Sequence, residues 1–214
     1  MKLYSGPLSL FTAKVRIALA EKRISYERIE VPFSRANGYS PKLPEMLALN
    51  PKGQVPVLVD GDLAVYDSTI IFEYLEETHP LPPLYPKDPA DRARCRQAEA
   101  AADELYFPHV WTLIRETFYQ PDVSKRDTAA IAAARAAIAA THRELNEKLA
   151  GREYLLGDFT VADIAYFMVT LFAANLGTAP DASLGNVHAW LARMTARPAV
   201  RDEVTGLLAA SARV

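Results

Sequence analysis

Residues 1–79 read as an α/β domain, residues 80–87 as a stiff linker and residues 88–214 as an all-helical bundle. Three observations give this division. Up to His79, short apolar runs of strand length alternate with apolar residues at helical spacing. The stretch Pro80-Leu81-Pro82-Pro83-Leu84-Tyr85-Pro86 then stops both neighbouring helices and stiffens the connection. Beyond Lys87 every periodic segment is helical.

The elements follow in order. Lys2 to Tyr4 is a short strand closed by Ser5-Gly6-Pro7. Phe11, Val15, Ala18 and Leu19 predict a first helix that ends near Lys22. Arg23 follows that stop; a helix stop often takes positive φ, where a non-glycine costs roughly 1 kcal/mol. Tyr26 to Val31 is a second strand, and strand–helix–strand of this length implies a right-handed parallel unit. Pro32 to Pro41 is a loop and Leu43 to Leu49 a short helix.

Asn50 to Thr69, NPKGQVPVLVDGDLAVYDST, is the stretch around which the chain is organised. Val55 to Val59 is an apolar run, Asp60-Gly61 a strong hairpin signal, and Leu63 to Tyr66 a second run. Asp67-Ser68 precedes Ile70, Ile71, Tyr74 and Leu75, the pattern of a helix N-terminus. Pro56 cannot donate to a sheet ladder, so at a strand entry it marks an edge, a bulge or a cis bond.

In the second half, Asp91 to Tyr119 is one long helical pattern that Pro108 must kink or split. Asp127 to Leu149 is an alanine-rich helix with Gly151 as its stop. Thr160 and Asp163 form a capping box, and Phe159 with Ile164 a hydrophobic staple, ahead of a buried helix. Leu184 to Met194 and Val200 to Leu208 complete the bundle.

Composition narrows the function classes. Half of the 214 residues are apolar and charges are mixed, which is globular composition. A formal charge of -2 argues against nucleic-acid or anionic-membrane partners. The single cysteine, Cys95, excludes an intramolecular disulfide and fits a reducing compartment. The N-terminus lacks a secretory signal pattern, and Val161 to Leu176, interrupted by Asp163, is too short to span a bilayer. A cytoplasmic protein is expected.

The order G-Q-V-P-V-L, a D-G turn, then D-S opening a helix resembles the thioredoxin-like N-terminal domain of the glutathione S-transferases. The segment P-L-S-x-F-x-x-K-V-R resembles the serine-type members, with bacterial, phi, theta and zeta-like classes among them. The resemblance covers essentially the whole chain. It implies that Pro56 is cis, that Val55 offers its backbone to the cysteinyl part of glutathione, and that Asp67 and Ser68 hold the γ-glutamyl end. It assigns Lys42 and Gln54 to the glycyl carboxylate, with a merely solvated surface lysine as the other reading of Lys42; the subgroup often has histidine where this chain has Pro41. Members of the family often have glycine where this chain has Arg23, which implies a positive φ at that position.

Ser9 is implied as the catalytic residue, donating a hydrogen bond to the glutathione sulfur. A serine just before a helix is equally a simple N-cap, and the two roles are compatible. Free thiols titrate near pH 8.5. Lowering that by two pH units takes roughly 2.7 kcal/mol of preference for the thiolate, the size of one charge-assisted hydrogen bond plus a helix N-terminus. Tyr4 is the rival, because another branch of the family uses a tyrosine near the end of the first strand.

The second substrate, a hydrophobic electrophile, is expected to meet Leu8, Leu10, Phe11, Phe107, Trp111 and Arg115. Asp103 resembles an acid that reaches the partner subunit's glutathione in some members; a solvated helix face is the other reading. Related chains dimerise, some through an aromatic after the Asn-Pro pair. Lys52 stands there, so a homodimer with a more polar C2 interface is expected. His79, His109, His142 and His188 show no metal-ligand spacing, so no metal is expected. Cys95 lies between Arg94 and Arg96 on a helical segment, which would lower its pKa; a structural or incidental thiol is the favoured alternative.

The resulting expectation is a glutathione transferase, with glutathione as co-substrate, conjugating hydrophobic electrophiles in detoxification. Isomerisation, dehalogenation or ether cleavage on the same scaffold is an alternative within enzymes. A non-catalytic transferase-like interaction module is the alternative outside them.

Overall fold

The computed structural model describes residues 1–40 and 42–213. Pro41, where the subgroup that the chain resembles often has histidine, lies outside the described residues. The chain forms two compact units, Met1–Leu84 together with Pro198–Val214, and Tyr85–Arg197. The sequence division ran 88–214 as one helical domain; the structure instead groups the last helix with the first unit.

In the first unit, β1 (Lys2–Ser5), β2 (Glu27–Glu30), β3 (Val57–Asp60) and β4 (Leu63–Tyr66) make a 4-stranded sheet in the order β2-β1-β3-β4. β1 and β2 are parallel, with α1 (Leu10–Glu21) between them in sequence, and β3 runs antiparallel to both β1 and β4. Strand side chains alternate between faces. Tyr4 and Val57, paired in the register, belong to the face covered by α2 (Pro44–Leu49), where Val31, Met46 and Val57 form a buried cluster. Leu3 and Leu58, also paired and fully buried, point the other way.

α1 ends as its sequence foretold. Arg23 takes φ 56°, its N–H donates to Ala20 O, and the Ile24 N–H reaches back to Leu19 O. That pair of bonds is the Schellman arrangement, closed here by a non-glycine. α3 (Ser68–Thr78) is tied to the hairpin by Tyr74, whose hydroxyl donates to Asp60 Oδ2 at 2.8 Å. α9 (Pro198–Ser211) packs on α1.

The second unit contains α4 (Pro89–Ala101), α5 (Phe107–Leu113), α6 (Thr128–Lys148), α7 (Val161–Asn175) and α8 (Gly185–Ala196). Pro108 does split the long pattern. Wide π-helical turns at Ala102–Tyr106 and Ile114–Phe118 flank α5, and the first, which spans the carbonyls on the N-terminal side of Pro108, accommodates the missing N–H and the ring clash that proline brings. α7 is buried along nearly its whole length. Its start carries the capping box: the Asp163 carboxylate accepts from Thr160 N at 3.0 Å, and also from Leu155 N and Trp190 Nε1, both at 3.0 Å. The Phe159 ring lies against Tyr154, with the Arg197 guanidinium 3.6 Å from its centroid. Among the described residues no helix is long and apolar enough to cross a membrane.

Candidate functional site

The strand register decides which segments meet at one end of the sheet. Tyr4 of β1 pairs with Val57 of β3, and Val57 pairs with Tyr66 of β4. β1 therefore runs out through Ser5 and Gly6 beside the point where β3 enters through Val55 and Pro56. On the other flank β4 runs out into Asp67 and Ser68. The first turns of α1 and α3 open from the same end, so two helix N-termini with their positive dipole ends lie along one edge. An anionic ligand is the chemical complement of that edge.

The Gly6–Ser9 loop is held from several sides. A Cβ on Gly6 would stand 2.6 Å from Tyr39 Oη and 2.8 Å from Val55 Cγ2, so only glycine fits there. Gly6 N donates to Thr12 Oγ1 at 3.3 Å, and Leu8 N donates to the Tyr39 hydroxyl at 3.1 Å. Ser9 is the N-cap of α1, its Oγ accepting from Thr12 N at 3.2 Å. Accepting that bond uses a lone pair and leaves the hydroxyl proton for another acceptor. The rival, Tyr4, is half-buried within β1 and packs against the Val31–Met46–Val57 cluster.

The turn before β3 is built on Asn50. This side chain is buried; its Nδ2 donates to Gln54 O at 2.8 Å and its Oδ1 accepts from Lys52 N at 3.0 Å. Gly53 closes the turn at φ +61°, and Lys42 side-chain carbons lie 3.6 Å from where its Cβ would be. Lys42 and Gln54 are thus brought to the same turn. The Val55–Pro56 peptide bond is cis.

Asp67 combines a positive φ of 77° with an N-capping carboxylate that accepts from Thr69 N at 3.1 Å. A non-glycine in that region costs roughly 1–3 kcal/mol and persists only where its surroundings impose it. Its second oxygen lies 3.7 Å from Lys52 Nζ. The ammonium drawn to this carboxylate in the structure is thus Lys52, which also stands over the Tyr66 ring. Ser68 is buried at the first position of α3.

The other candidates divide by unit. Leu10 is buried, while Leu8 and Phe11 are half-buried. In the second unit Phe107 and Trp111 stack 6.3 Å apart, Trp111 continues to Tyr119 at 6.1 Å, and Arg115 pairs with Glu116 at 2.9 Å. Trp111 is 45% exposed, so this stripe is not core. Asp103 is half-buried in the first wide turn. Cys95 is fully buried and burial pushes its thiol up to about 11, so the flanking arginines do not make it a nucleophile. His142 is buried against Tyr106 Oη, His79 contacts Thr78, and His188 contacts Asp181 O. Among the described residues no group of His, Cys, Asp or Glu gathers to hold a metal ion.

Sequence reasoning missed Tyr39, Asn50 and Arg16. The Asn50-Pro51 pair was a usable turn signal. Arg16 was visible only as the last letter of a motif, and its partner Glu203 lies 187 positions away.

A small mixed sheet with its helices, followed by an all-helical part, is the two-domain glutathione transferase architecture. Family models described as "Glutathione S-transferase, N-terminal domain" and "Glutathione S-transferase, C-terminal domain" match residues 3–83 and 102–198. Glutathione S-transferase 3 of Zea mays is 30% identical over 217 residues, covering 97% of this chain and 94% of that protein. A crystal structure of a glutathione S-transferase from Rhodospirillum rubrum F11 is 33% identical, with a TM-score of 0.83 over 95% of this chain and 91% of that one. The chain belongs to the glutathione S-transferase family. It is also similar to a stringent starvation protein A homolog of Coxiella burnetii, at 46% identity over 96 residues, 45% of this chain. That match spans 43% of the relative's length, so the chain aligns with less than half of it. The family binds glutathione and electrophilic substrates and typically dimerises.

Proposed function

We propose that the chain is a serine-type glutathione transferase that adds the glutathione thiolate to hydrophobic electrophiles. The observation that carries this reading is the single sheet edge shared by the Ser9 loop, the cis Val55–Pro56 entry and the Asp67–Ser68 helix start. On this reading Ser9 donates to the sulfur and the Val55 backbone pairs with the cysteinyl unit. Asp67 and Ser68 hold the γ-glutamyl end, and Lys42 and Gln54 the glycyl carboxylate. The Asp67 carboxylate exchanges Lys52 for the ligand's ammonium. For the second substrate our candidates stay those named from the sequence, and Asp103 stays the candidate for a cross-subunit contact. The working form is a cytoplasmic C2 homodimer acting in detoxification.

Calorimetric titration with glutathione, followed by a conjugation assay with an activated aryl halide, tests this. Binding together with turnover is the expected result. Absence of both binding and turnover would defeat the proposal.

A second reading has one observation in its favour: the Coxiella relative is named for stringent starvation and not for transfer. On that reading the chain is a non-catalytic module for protein association. Glutathione binding without conjugation of any of several electrophile classes is its expected signature.

A further inference from the structure

Arg16 is a buried cation that the proposed mechanism does not use. Its guanidinium is gripped by both carboxylate oxygens of Glu203 on α9, with Nε to Oε2 at 2.8 Å. The pair is almost dry, with side chains 7% and 11% exposed. The remaining nitrogen, Nη1, points the other way. It donates to Ser5 Oγ at 2.6 Å and to Gly6 O at 3.3 Å. One fork thus spans from the last helix of the chain to the first two residues of the exit from β1.

Those two residues join β1 to the loop that carries Ser9. Gly6 carries no side chain and is the loop's most permissive joint. Its carbonyl is also the acceptor for Ser9 N at 3.4 Å. Arg16 and Ser9 therefore share one carbonyl, and turning the Gly6 peptide would release both. The loop is otherwise steadied by Thr12 and Tyr39 alone among the bonds described above. Because Arg16 is desolvated, it holds this geometry only while an anion faces it. Glu203 is that anion, and it lies beyond the segment that the C-terminal family model matches.

We infer that Arg16 and Glu203 are a positioning pair: α9, through Glu203, sets the orientation of the Gly6 peptide and hence the aim of the Ser9 hydroxyl at the glutathione sulfur. The inference rests on the proposed transferase reading. It makes the last helix part of the site without touching the ligand.

The test measures the titration of enzyme-bound glutathione by the ultraviolet absorbance of its thiolate, alongside glutathione affinity and kcat/KM. Two variants are compared with the unmodified protein. Arg16→Met/Glu203→Leu removes both charges, leaving neither buried alone. Glu203→Gln keeps the shape and loses the charge. Both are expected to raise the midpoint of thiol titration by about one pH unit, which for a bound thiol starting at about 6.5 is roughly a threefold loss of thiolate at pH 7. Glutathione affinity measured well below the midpoint, where the bound thiol is protonated in every variant, is expected to stay unchanged, a split that a general loss of folded protein does not produce. Glu203→Asp, which restores the charge, is expected to recover part of the shift.

An unmoved midpoint in whichever of the two variants folds overturns the inference while leaving the transferase reading intact. Unmodified protein that fails to bind glutathione overturns both.

Discussion

Lys22 Nζ lies 2.6 Å from Glu76 Oε2, joining the end of α1 to the last turns of α3 with the lysine side chain fully buried. The same ammonium donates to His79 O at 2.7 Å and Pro82 O at 3.0 Å, while Glu76 Oε2 accepts from Leu84 N at 3.0 Å. A buried ion pair alone is weak support, since both ions lose their hydration. This one also satisfies the backbone of the segment leaving α3. Glu76→Ala leaves a buried ammonium and an orphaned N–H, so a loss of about 3–5 kcal/mol is expected. Urea unfolding of variant and parent checks it; a loss under about 1 kcal/mol would mean water replaces the carboxylate.

Arg23 holds φ 56° at the end of α1 and is exposed. Glycine takes that conformation without the Cβ clash, although it adds freedom to the unfolded chain. Arg23→Gly is expected to stabilise the protein by up to about 1 kcal/mol, seen as a higher thermal midpoint. Arg23→Val, β-branched, is expected to do the reverse.

What could be read in the sequence was what local chemistry dictates. The Asp60-Gly61 turn, the Asp67-Ser68 helix start, the positive φ at Arg23 and the Thr160–Asp163 box are each encoded within a few residues. Pro108 announced an interruption, but not that a wide turn just before it would accommodate it, nor that a second would follow at Ile114–Phe118. Contacts between distant segments left no trace. Glu203 carries no mark of its pairing with Arg16, and Tyr39 none of its seat over Gly6, because long-range complementarity imposes no period on either segment. The grouping of α9 with the first unit was hidden for the same reason.

Asp163 shows how much one capping residue can hold. Burial pushes its carboxyl up, against hydrogen bonds from Leu155, Thr160 and Trp190 that pull it down. Asp163→Ala strands the Leu155 and Thr160 N–H groups and the indole N–H of a fully buried tryptophan. At roughly 1–3 kcal/mol per stranded group, a loss of at least about 3 kcal/mol is expected. Thr160→Ala, which leaves the carboxylate in place, is expected to cost about 1 kcal/mol. Chemical denaturation of the two variants should reproduce that order.

His142 supplies a pH dependence of stability. It is 2% exposed, its Nε2 lies 2.7 Å from the Tyr106 hydroxyl, and burial lowers its pKa from 6.5 to about 4. The unfolded chain takes up a proton as pH falls through 6.5, whereas the folded chain resists until about 4. Stability from this group is therefore complete above pH 6.5, falls between 6.5 and 4, and falls no further below. The full loss is about 3 kcal/mol at 1.4 kcal/mol per pH unit. His142→Gln, which keeps a polar side chain but cannot titrate, is expected to flatten this window in urea midpoints measured from pH 7.5 to 4.

Ser9→Ala separates the two jobs proposed for one hydroxyl. As an N-cap, Ser9 accepts from Thr12 N, and losing that bond costs about 1 kcal/mol of stability in any protein with this geometry. As the sulfur's donor it stabilises a thiolate by a charge-assisted bond of about 1.5–3 kcal/mol, which corresponds to one to two pH units in the bound thiol. Conjugation at neutral pH is then expected to fall by roughly three- to twenty-fivefold with the loss of bound thiolate, and glutathione affinity by no more than about fourfold. The deficit should shrink as pH rises, because above its own pKa the thiol ionises without help. A pH–rate profile in which parent and variant converge at alkaline pH is the expected outcome. Parallel profiles, equally depressed at every pH, would assign the hydroxyl to the helix start alone.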